Sequence, residues 1–270
     1  MTRDVSFGQY MPGDGVIHRL DPRIKLILLI AYIVFVFCAF NFVSLAVISA
    51  ATFAAVMLSR VPLRMYFKSL KVVLIIVLIT SALNIFYGGG DVLWQWGYLT
   101  VTKDGIFRAI FVSVRIVLLI LLSSCLTFTT TPTDLTDAIE RLMKPLKALH
   151  VKVHEIAMMM TIALRFVPTL LEETDKIMSA QKARGADMDS GGIIKKVKAM
   201  TPILIPLFVS AFRRAYELAV AMECRCYHGG DGRTRMKVLH MKPLDYVSLV
   251  ISGIVLAGIV LCNVFFASIV

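Results

Sequence analysis

Between Glu155 and His228, apolar residues recur at steps of three and four along two consecutive stretches. In the first, Ile156, Met159, Met160, Ala163, Phe166, Val167, Leu170 and Ile177 form one stripe, opposite Arg165, Glu172, Lys176 and Ser179. That spacing predicts an amphipathic helix with one buried and one wet face. In the second, Leu204, Leu207, Phe208, Ala211, Ala215, Leu218 and Met222 stand opposite Arg213, Arg214, Glu217 and Glu223. Asp189, Ser190, Gly191 and Gly192 separate the two stretches, and Pro168, Pro202 and Pro206 are expected to bend or begin them. A helix of about thirty residues reaches roughly 45 Å, longer than a bilayer core is thick, but both stretches carry too many charges to span one. They are expected to lie on or under a membrane.

The rest of the chain is patterned differently. No charge occurs from Leu26 to Leu58, and these thirty-three residues are too many for one span of about twenty and few for two. Arg19, Arg23 and Lys25 precede the run, and Arg60, Arg64, Lys68 and Lys71 follow it. The positive-inside rule therefore favours two short spans that turn near Asn41. A third is expected from Val72 to about Tyr87. Gly88, Gly89 and Gly90 with Trp94, Trp96 and Tyr98 then read as an external interfacial loop, where amphipathic rings collect. A fourth span, about Ile106 to Phe128, holds Arg108 near its outer end and Arg115 deeper in. An arginine at depth is a candidate functional residue, and packing against helix-end carbonyls or snorkelling is the plainer account. Thr131-Pro132-Thr133-Asp134 is a helix start, with a capping threonine, a proline at the first position and an acid three residues on. A fifth span runs from Leu244 to about Phe266, with Gly253 and Ala257 offering a close-packing face. The C-terminus is expected outside.

This divides the chain into 1–128, a basic opening with four transmembrane helices; 129–243, a cytoplasmic region of amphipathic helices; and 244–270, a last transmembrane helix. The fold class expected is all-α, polytopic, with about five membrane-spanning helices. Composition agrees: 58% of the 270 residues are hydrophobic, while 17% charged residues require a substantial part in water. The formal charge of +11 could suggest nucleic acid, but in a membrane protein its ordinary cause is cytoplasmic lysine and arginine. Eighteen of the twenty-nine basic residues lie between Thr131 and Lys242. No nucleic-acid partner is expected. Cys38, Cys125 and Cys262 sit in apolar runs as small hydrophobes, and no disulfide framework is implied. The first apolar run lacks a small-residue cleavage site after it and reads as a retained span.

Catalytic constellations are missing from the sequence. His154-Glu155 has no second histidine at the zincin spacing, no carboxylate pair sits within a span, and Gly229-Gly230-Asp231-Gly232-Arg233-Thr234 lacks the spacing and lysine of a phosphate-binding loop. Neither His150 with His154 nor Cys224 with Cys226 and His228 makes a convincing metal set. What remains is a pair of arginines, Ala183-Arg184-Gly185 and Cys224-Arg225-Cys226, closing the two amphipathic stretches forty-one residues apart. One such end alone reads as a helix cap, a cation against the dipole followed by glycine. Two on consecutive helices suggest a site.

At these residues the chain resembles the transmembrane coupling subunit, or T component, of energy-coupling factor transporters, bacterial importers of vitamins and trace metals. The resemblance covers the opening from Gly8-Gln9-Tyr10 to Lys25, Thr129-Thr130-Thr131-Pro132 with Ala138-Ile139-Glu140, Gln181 to Asp187, and Glu223 to Thr234. The opening is more similar to the type shared among many substrate-binding partners. Cys224-Arg225-Cys226-Tyr227 departs from the family's Ala-Arg-Gly-Tyr, a change of about 1 kcal/mol if the position needs positive φ and no later glycine takes over the cap.

The resemblance implies that Arg184 and Arg225, flanked by Ala183, Gly185, Cys224 and Cys226, dock into grooves on two ABC-type ATPase subunits. It implies that Met159, Met160, Ala163, Phe166, Leu207, Phe208, Ala211 and Leu218 hold one small membrane-embedded substrate-binding protein. Six methionines, Met158, Met159, Met160, Met178, Met200 and Met222, supply the adaptable surface such a role uses. The chain itself would be non-catalytic and carry no cofactor, with ATP and Mg²⁺ on the partner subunits. It would sit in the bacterial plasma membrane with its N-terminus and coupling region cytoplasmic. The competing reading is an ordinary ABC permease with its own translocation path, whose coupling loop places a glycine ten residues before an Ile-x-Leu-Pro. Here Gly185 stands eighteen before Ile203-Leu204-Ile205-Pro206, a poor fit. An intramembrane enzyme lacks an acid, base or metal set.

Overall fold

The computed structural model describes residues 10–86, 92–96, 99–186, 192–230 and 240–265. The expectations resting on Gly8, Gln9, Gly88 to Gly90, Tyr98, Asp187, Asp189 to Gly191 and Asp231 to Thr234 lie outside the described residues. Eight α-helices carry the described chain: α1 (Pro22–Cys38), α2 (Phe42–Ser59), α3 (Leu63–Phe86), α4 (Lys103–Thr129), α5 (Pro132–Leu142), α6 (Val153–Ala183), α7 (Ile193–Cys224) and α8 (Pro243–Phe265). The chain is an all-α polytopic membrane protein. It forms two compact units, one of residues 1–138 and 238–270, the other of residues 139–237.

In the first unit the uncharged run from Leu26 breaks into two helices at Asn41, which occupies the N-cap position of α2. A helix ending within a membrane leaves carbonyls that only protein can satisfy. At the end of α1 the Asn263 amide donates to the Cys38 carbonyl (2.7 Å) and Arg115 Nη2 donates to the Ala39 carbonyl (2.8 Å). The Arg115 guanidinium also lies 4.9 Å from the centre of the Phe111 ring, a cation–π contact. The helix-end account of Arg115 is the one realised. At the end of α4 the Met11 amide donates to the Phe128 carbonyl (3.0 Å), and buried Lys25 Nζ donates to the Thr129 carbonyl (2.8 Å) and Thr130 Oγ1 (3.2 Å).

The apolar interior lies between these closed ends. Val36, Leu45, Ile48, Phe111, Leu118, Leu122 and Ile259 form one cluster, and Val56, Val61, Tyr66, Cys125 and Phe128 a second. Phe42 meets Phe111 edge-on, as Tyr66 meets Phe128, the favoured geometry for ring quadrupoles. Asp245 joins the starts of α1 and α8. It is 1% exposed and its two carboxylate oxygens accept from the Asp21 amide (2.8 Å) and the Lys242 amide (2.7 Å).

Several details depart from the sequence expectations. Among the described residues, five helices are long and apolar enough to cross a bilayer, namely α2, α3, α4, α6 and α8. The expected set had α1 where α6 stands. With 17 residues, α1 is at the lower limit of about 17–25 for a span. The first half of α6 has a single charge between Ile156 and Leu171, Arg165, so it qualifies by composition. Where an external loop was expected, Val92–Trp96 and Leu99–Thr102 pair as an antiparallel hairpin, Trp94 against Val101 and Gln95 against Thr100. Its aromatic and β-branched residues favour strands. Gly105 sits where α4 follows it, and a Cβ there would come within 2.9 Å of the Ile85 carbonyl oxygen, so the α3–α4 approach requires glycine. Pro202 and Pro206 do not begin α7, which starts at Ile193 and runs through both; both rings lie on its exposed side. Nor do Gly253 and Ala257 pack within this chain. A Cβ on Gly253 would meet nothing, and α8 instead buries Asp245, Ser252 and Ile259, seven residues apart.

Replacing Asp245 with alanine leaves two amides without an acceptor and should destabilise the first unit by about 2–4 kcal/mol. Asparagine keeps one acceptor oxygen and should lose less. Thermal midpoints of the detergent-solubilised protein check the order wild type, Asp245→Asn, Asp245→Ala.

Candidate functional site

The second unit is built on α6 and α7, of 31 and 32 residues. It is reached through α5, which the Thr131 side chain opens by accepting from the Asp134 amide (3.1 Å) while its hydroxyl donates to Asp134 Oδ2 (2.8 Å). This is the threonine cap expected from the sequence. At the start of α6, His154 Nδ1 meets Glu140 Oε1 at 3.0 Å. Among the described residues no group of three or more His, Cys, Asp or Glu could hold a metal ion.

Both helices end in the same way. After Ala183, Arg184 is the C-cap residue of α6, Gly185 follows at φ +85°, the Gly185 amide donates to the Lys182 carbonyl (3.0 Å), and the Ala186 amide donates to the Gln181 carbonyl (3.0 Å). After Cys224, Arg225 is the C-cap of α7, Cys226 follows at φ +54°, the Cys226 amide donates to the Glu223 carbonyl (2.8 Å), and the Tyr227 amide donates to the Met222 carbonyl (3.0 Å). Each is a Schellman motif, with the arginine at the same position. The backbone itself satisfies the last carbonyls, so neither guanidinium is needed as a cap. Both arginines are exposed, and no hydrogen bond or ion pair to another described residue holds either side chain. Ala183, Gly185, Cys224 and Cys226 are exposed beside them. Gly229, although also at positive φ, lies beyond the turn and does not relieve Cys226. Gly230 packs flat against the ring of His154, where a Cβ would come within 2.9 Å of the His154 Cβ.

Along their length the two helices each have a face that packs and a face left open. On α7, Ile203 and Ser210 are buried and Leu207, Arg214 and Leu218 half-buried. They recur at steps of three and four, and Arg214 Nη2 donates to Glu173 Oε2 of α6 at 3.0 Å, which identifies this as the α6-facing side. On α6, Glu173 shares its half-buried side with Ile162, Phe166, Thr169 and Ile177. The residues expected to bind a membrane partner therefore divide. Met159, Met160, Ala163 and Phe208 are exposed; Phe166, Leu207, Ala211 and Leu218 are half-buried. Leu207 and Leu218 share the stripe of Arg214, and Phe166 that of Glu173.

An exposed stripe, of which the sequence pattern singled out only Phe208, runs along the other side of α7: Ile205, Phe208, Val209, Phe212 and Tyr216, with Phe212 73% and Tyr216 72% exposed. Five large apolar side chains left open on one helix face mark an interaction surface or lipid contact. Their i, i+3, i+4, i+7, i+11 spacing is as regular in the sequence as that of the stripe chosen. The helix is apolar around much of its circumference, so periodicity alone admits both.

The described chain is thus a helical membrane protein in which two long helices each end on an exposed arginine. A family model described as CbiQ, cobalt transport protein, matches residues 13–238. The energy-coupling factor transporter transmembrane protein EcfT of Clostridium kluyveri is 51% identical over 250 residues, 92% of this chain and 93% of the relative. Its counterpart in Bacillus subtilis is 49% identical over 240 residues, covering 88% and 91%, and that of Limosilactobacillus fermentum 46% identical over 252, covering 93% and 94%. The chain belongs to the family of transmembrane, or T, components of energy-coupling factor transporters.

Cys226 is a non-glycine residue in the left-handed region, at a cost of roughly 1 kcal/mol. Cys226→Gly should raise stability by up to about that amount and strengthen hydrogen-exchange protection of the Cys226 and Tyr227 amides that close the turn. Cys226→Val, β-branched at the same φ, should lower both.

Proposed function

We propose that this T component is a non-catalytic coupling scaffold, in which α6 and α7 carry motion from two ABC-type ATPase subunits to one small membrane-embedded substrate-binding protein. The ATPases hold the ATP and Mg²⁺, and the transported compound, of the vitamin or micronutrient class, binds the other membrane protein. The observation that carries the reading is the shared geometry of Arg184 and Arg225, each exposed at the C-cap of a long helix whose own backbone closes the turn. A guanidinium presents a rigid fork of donors suited to carboxylates and carbonyls in a groove. Ala183, Gly185, Cys224 and Cys226 are small enough to let that fork approach a partner closely.

The substrate-binding protein packs on the open apolar faces, Met159, Met160 and Ala163 of α6 and Phe208 of α7, with Phe212 and Tyr216 added to the set. The first unit is the membrane mount. The N-terminal segment and the coupling region at the arginine-bearing ends of α6 and α7 are cytoplasmic, with the apolar first half of α6 against the membrane, and the bilayer is the bacterial plasma membrane, in keeping with the eighteen basic residues between Thr131 and Lys242.

The test is uptake into vesicles by the complete complex. Arg184→Glu or Arg225→Glu should reduce transport to background, since truncating one partner of a buried charged contact costs about 3–5 kcal/mol; lysine at either position should restore part of it. Near-normal uptake by either glutamate variant in an assembled complex would refute the coupling role. Purification of the wild type from membranes should bring down two ATPase chains and one small hydrophobic protein.

A further inference from the structure

The α6-facing stripe of α7 and the α7-facing stripe of α6 are the same stripe forty-one residues apart. Ile162, Phe166, Thr169, Glu173 and Ile177 on α6 correspond to Ile203, Leu207, Ser210, Arg214 and Leu218 on α7, and the same interval relates Arg184 to Arg225. All ten of these facing residues are buried or half-buried. The pairs match in kind, apolar with apolar, hydroxyl with hydroxyl, except at one place. There Glu173 stands opposite Arg214, and these two side chains bond each other at 3.0 Å.

Two equivalent helices that meet at an equivalent position, as Glu173 meets Arg214, have the local relation of an isologous interface at that point. At such a point a residue faces its own counterpart, so identical charges would repel, and the one charged position of the stripe must differ in sign to attract. The ion pair therefore marks the crossing point. Each arginine lies eleven residues beyond its member of the pair, roughly 16 Å along a helix at 1.5 Å per residue.

We infer that Glu173 and Arg214 are positioning residues that fix the register in which α6 and α7 cross, so that Arg184 and Arg225 stand at equal reach from one pivot. The inference rests on the coupling role proposed for the two arginines. The need for such a lock follows from the stripes themselves. Apolar ridges at steps of three and four mesh almost equally well when one helix slips by a turn, about 5.4 Å. A slip of that size would carry one arginine past its groove as the other fell short. The ion pair is the feature of the stripe that discriminates between registers. With side-chain exposures of 38% for Arg214 and 22% for Glu173, it is sheltered enough to be specific and open enough to be accommodated.

The experiment uses the whole complex as it copurifies from membranes, reconstituted into vesicles with a mixture of tritiated water-soluble vitamins as the probe, and reads vitamin accumulated per ATP hydrolysed. Glu173→Gln and Arg214→Gln should each assemble, hydrolyse ATP within about twofold of wild type, and lower that ratio by roughly fivefold or more, the lower end of usual coupling energies. The exchange Glu173→Arg with Arg214→Glu restores opposite charges at the crossing. It should assemble and recover the ratio to within about twofold, a rescue that generic loss of packing would not give. A wild-type ratio in both single variants overturns the proposal, as does an exchange variant that stays uncoupled or does not assemble. Should the single variants fail to assemble, the exchange variant decides alone. Arg184→Glu in the same assay separates the two ideas. If it abolishes uptake while the Glu173 and Arg214 variants transport normally, only the crossing proposal falls. If it transports normally as well, the coupling role itself has failed.

Discussion

A helix that stops must place its last carbonyls somewhere, and the way each helix end is closed organises this protein. In the first unit the closure is borrowed. Arg115 and Asn263 reach across to the end of α1, and Lys25 and Met11 to the end of α4, binding helices whose apolar surfaces would otherwise have little reason to prefer one another over lipid. In the second unit the closure is internal. The Schellman turns after α6 and α7 satisfy their carbonyls with backbone amides, and the arginines at the C-caps are released from that work. The same guanidinium chemistry is thus consumed at Arg115 and left available at Arg184 and Arg225.

The same difference bears on Ala183-Arg184-Gly185. Taken alone, that sequence reads as a helix cap, a cation followed by glycine. In three dimensions the cap is made by amides, with the side chain exposed. Cys226 makes the point more firmly: it holds φ +54° without being glycine. The turn after Arg225 forms without glycine, and Arg225 occupies the same cap position on α7 as Arg184 on α6.

The helices of the first unit were legible because charge-free runs bounded by basic residues have few other solutions, and the break at Asn41 followed from counting crossings. The hairpin of Val92–Trp96 with Leu99–Thr102 was not, because a short strand pair leaves a weak signal beside long apolar helices. The two helices of the second unit were read from periodicity, and their arginine ends from the motifs Ala183-Arg184-Gly185 and Cys224-Arg225-Cys226. Their facing was not, because α7 is apolar on more than one side, and only the bond from Arg214 to Glu173 distinguishes the packed stripe from the open one bearing Phe212 and Tyr216. That bond joins residues forty-one apart, a spacing no local pattern predicts, although the repeat of Ile162 to Ile177 as Ile203 to Leu218 carried it.

In the proposed mechanism, closing and opening of the ATPase pair reach the membrane as relative movement of two rods joined at one point. The quantity that tests this most directly is the distance between spin labels attached at Ala183→Cys and at Cys224, in a complex from which the other cysteines have been removed, with and without ATP. The account predicts one distance distribution in the nucleotide-free complex, a displaced one when ATP is trapped, and no response to ATP in the T component alone. Identical distributions in the assembled complex under both conditions would contradict it.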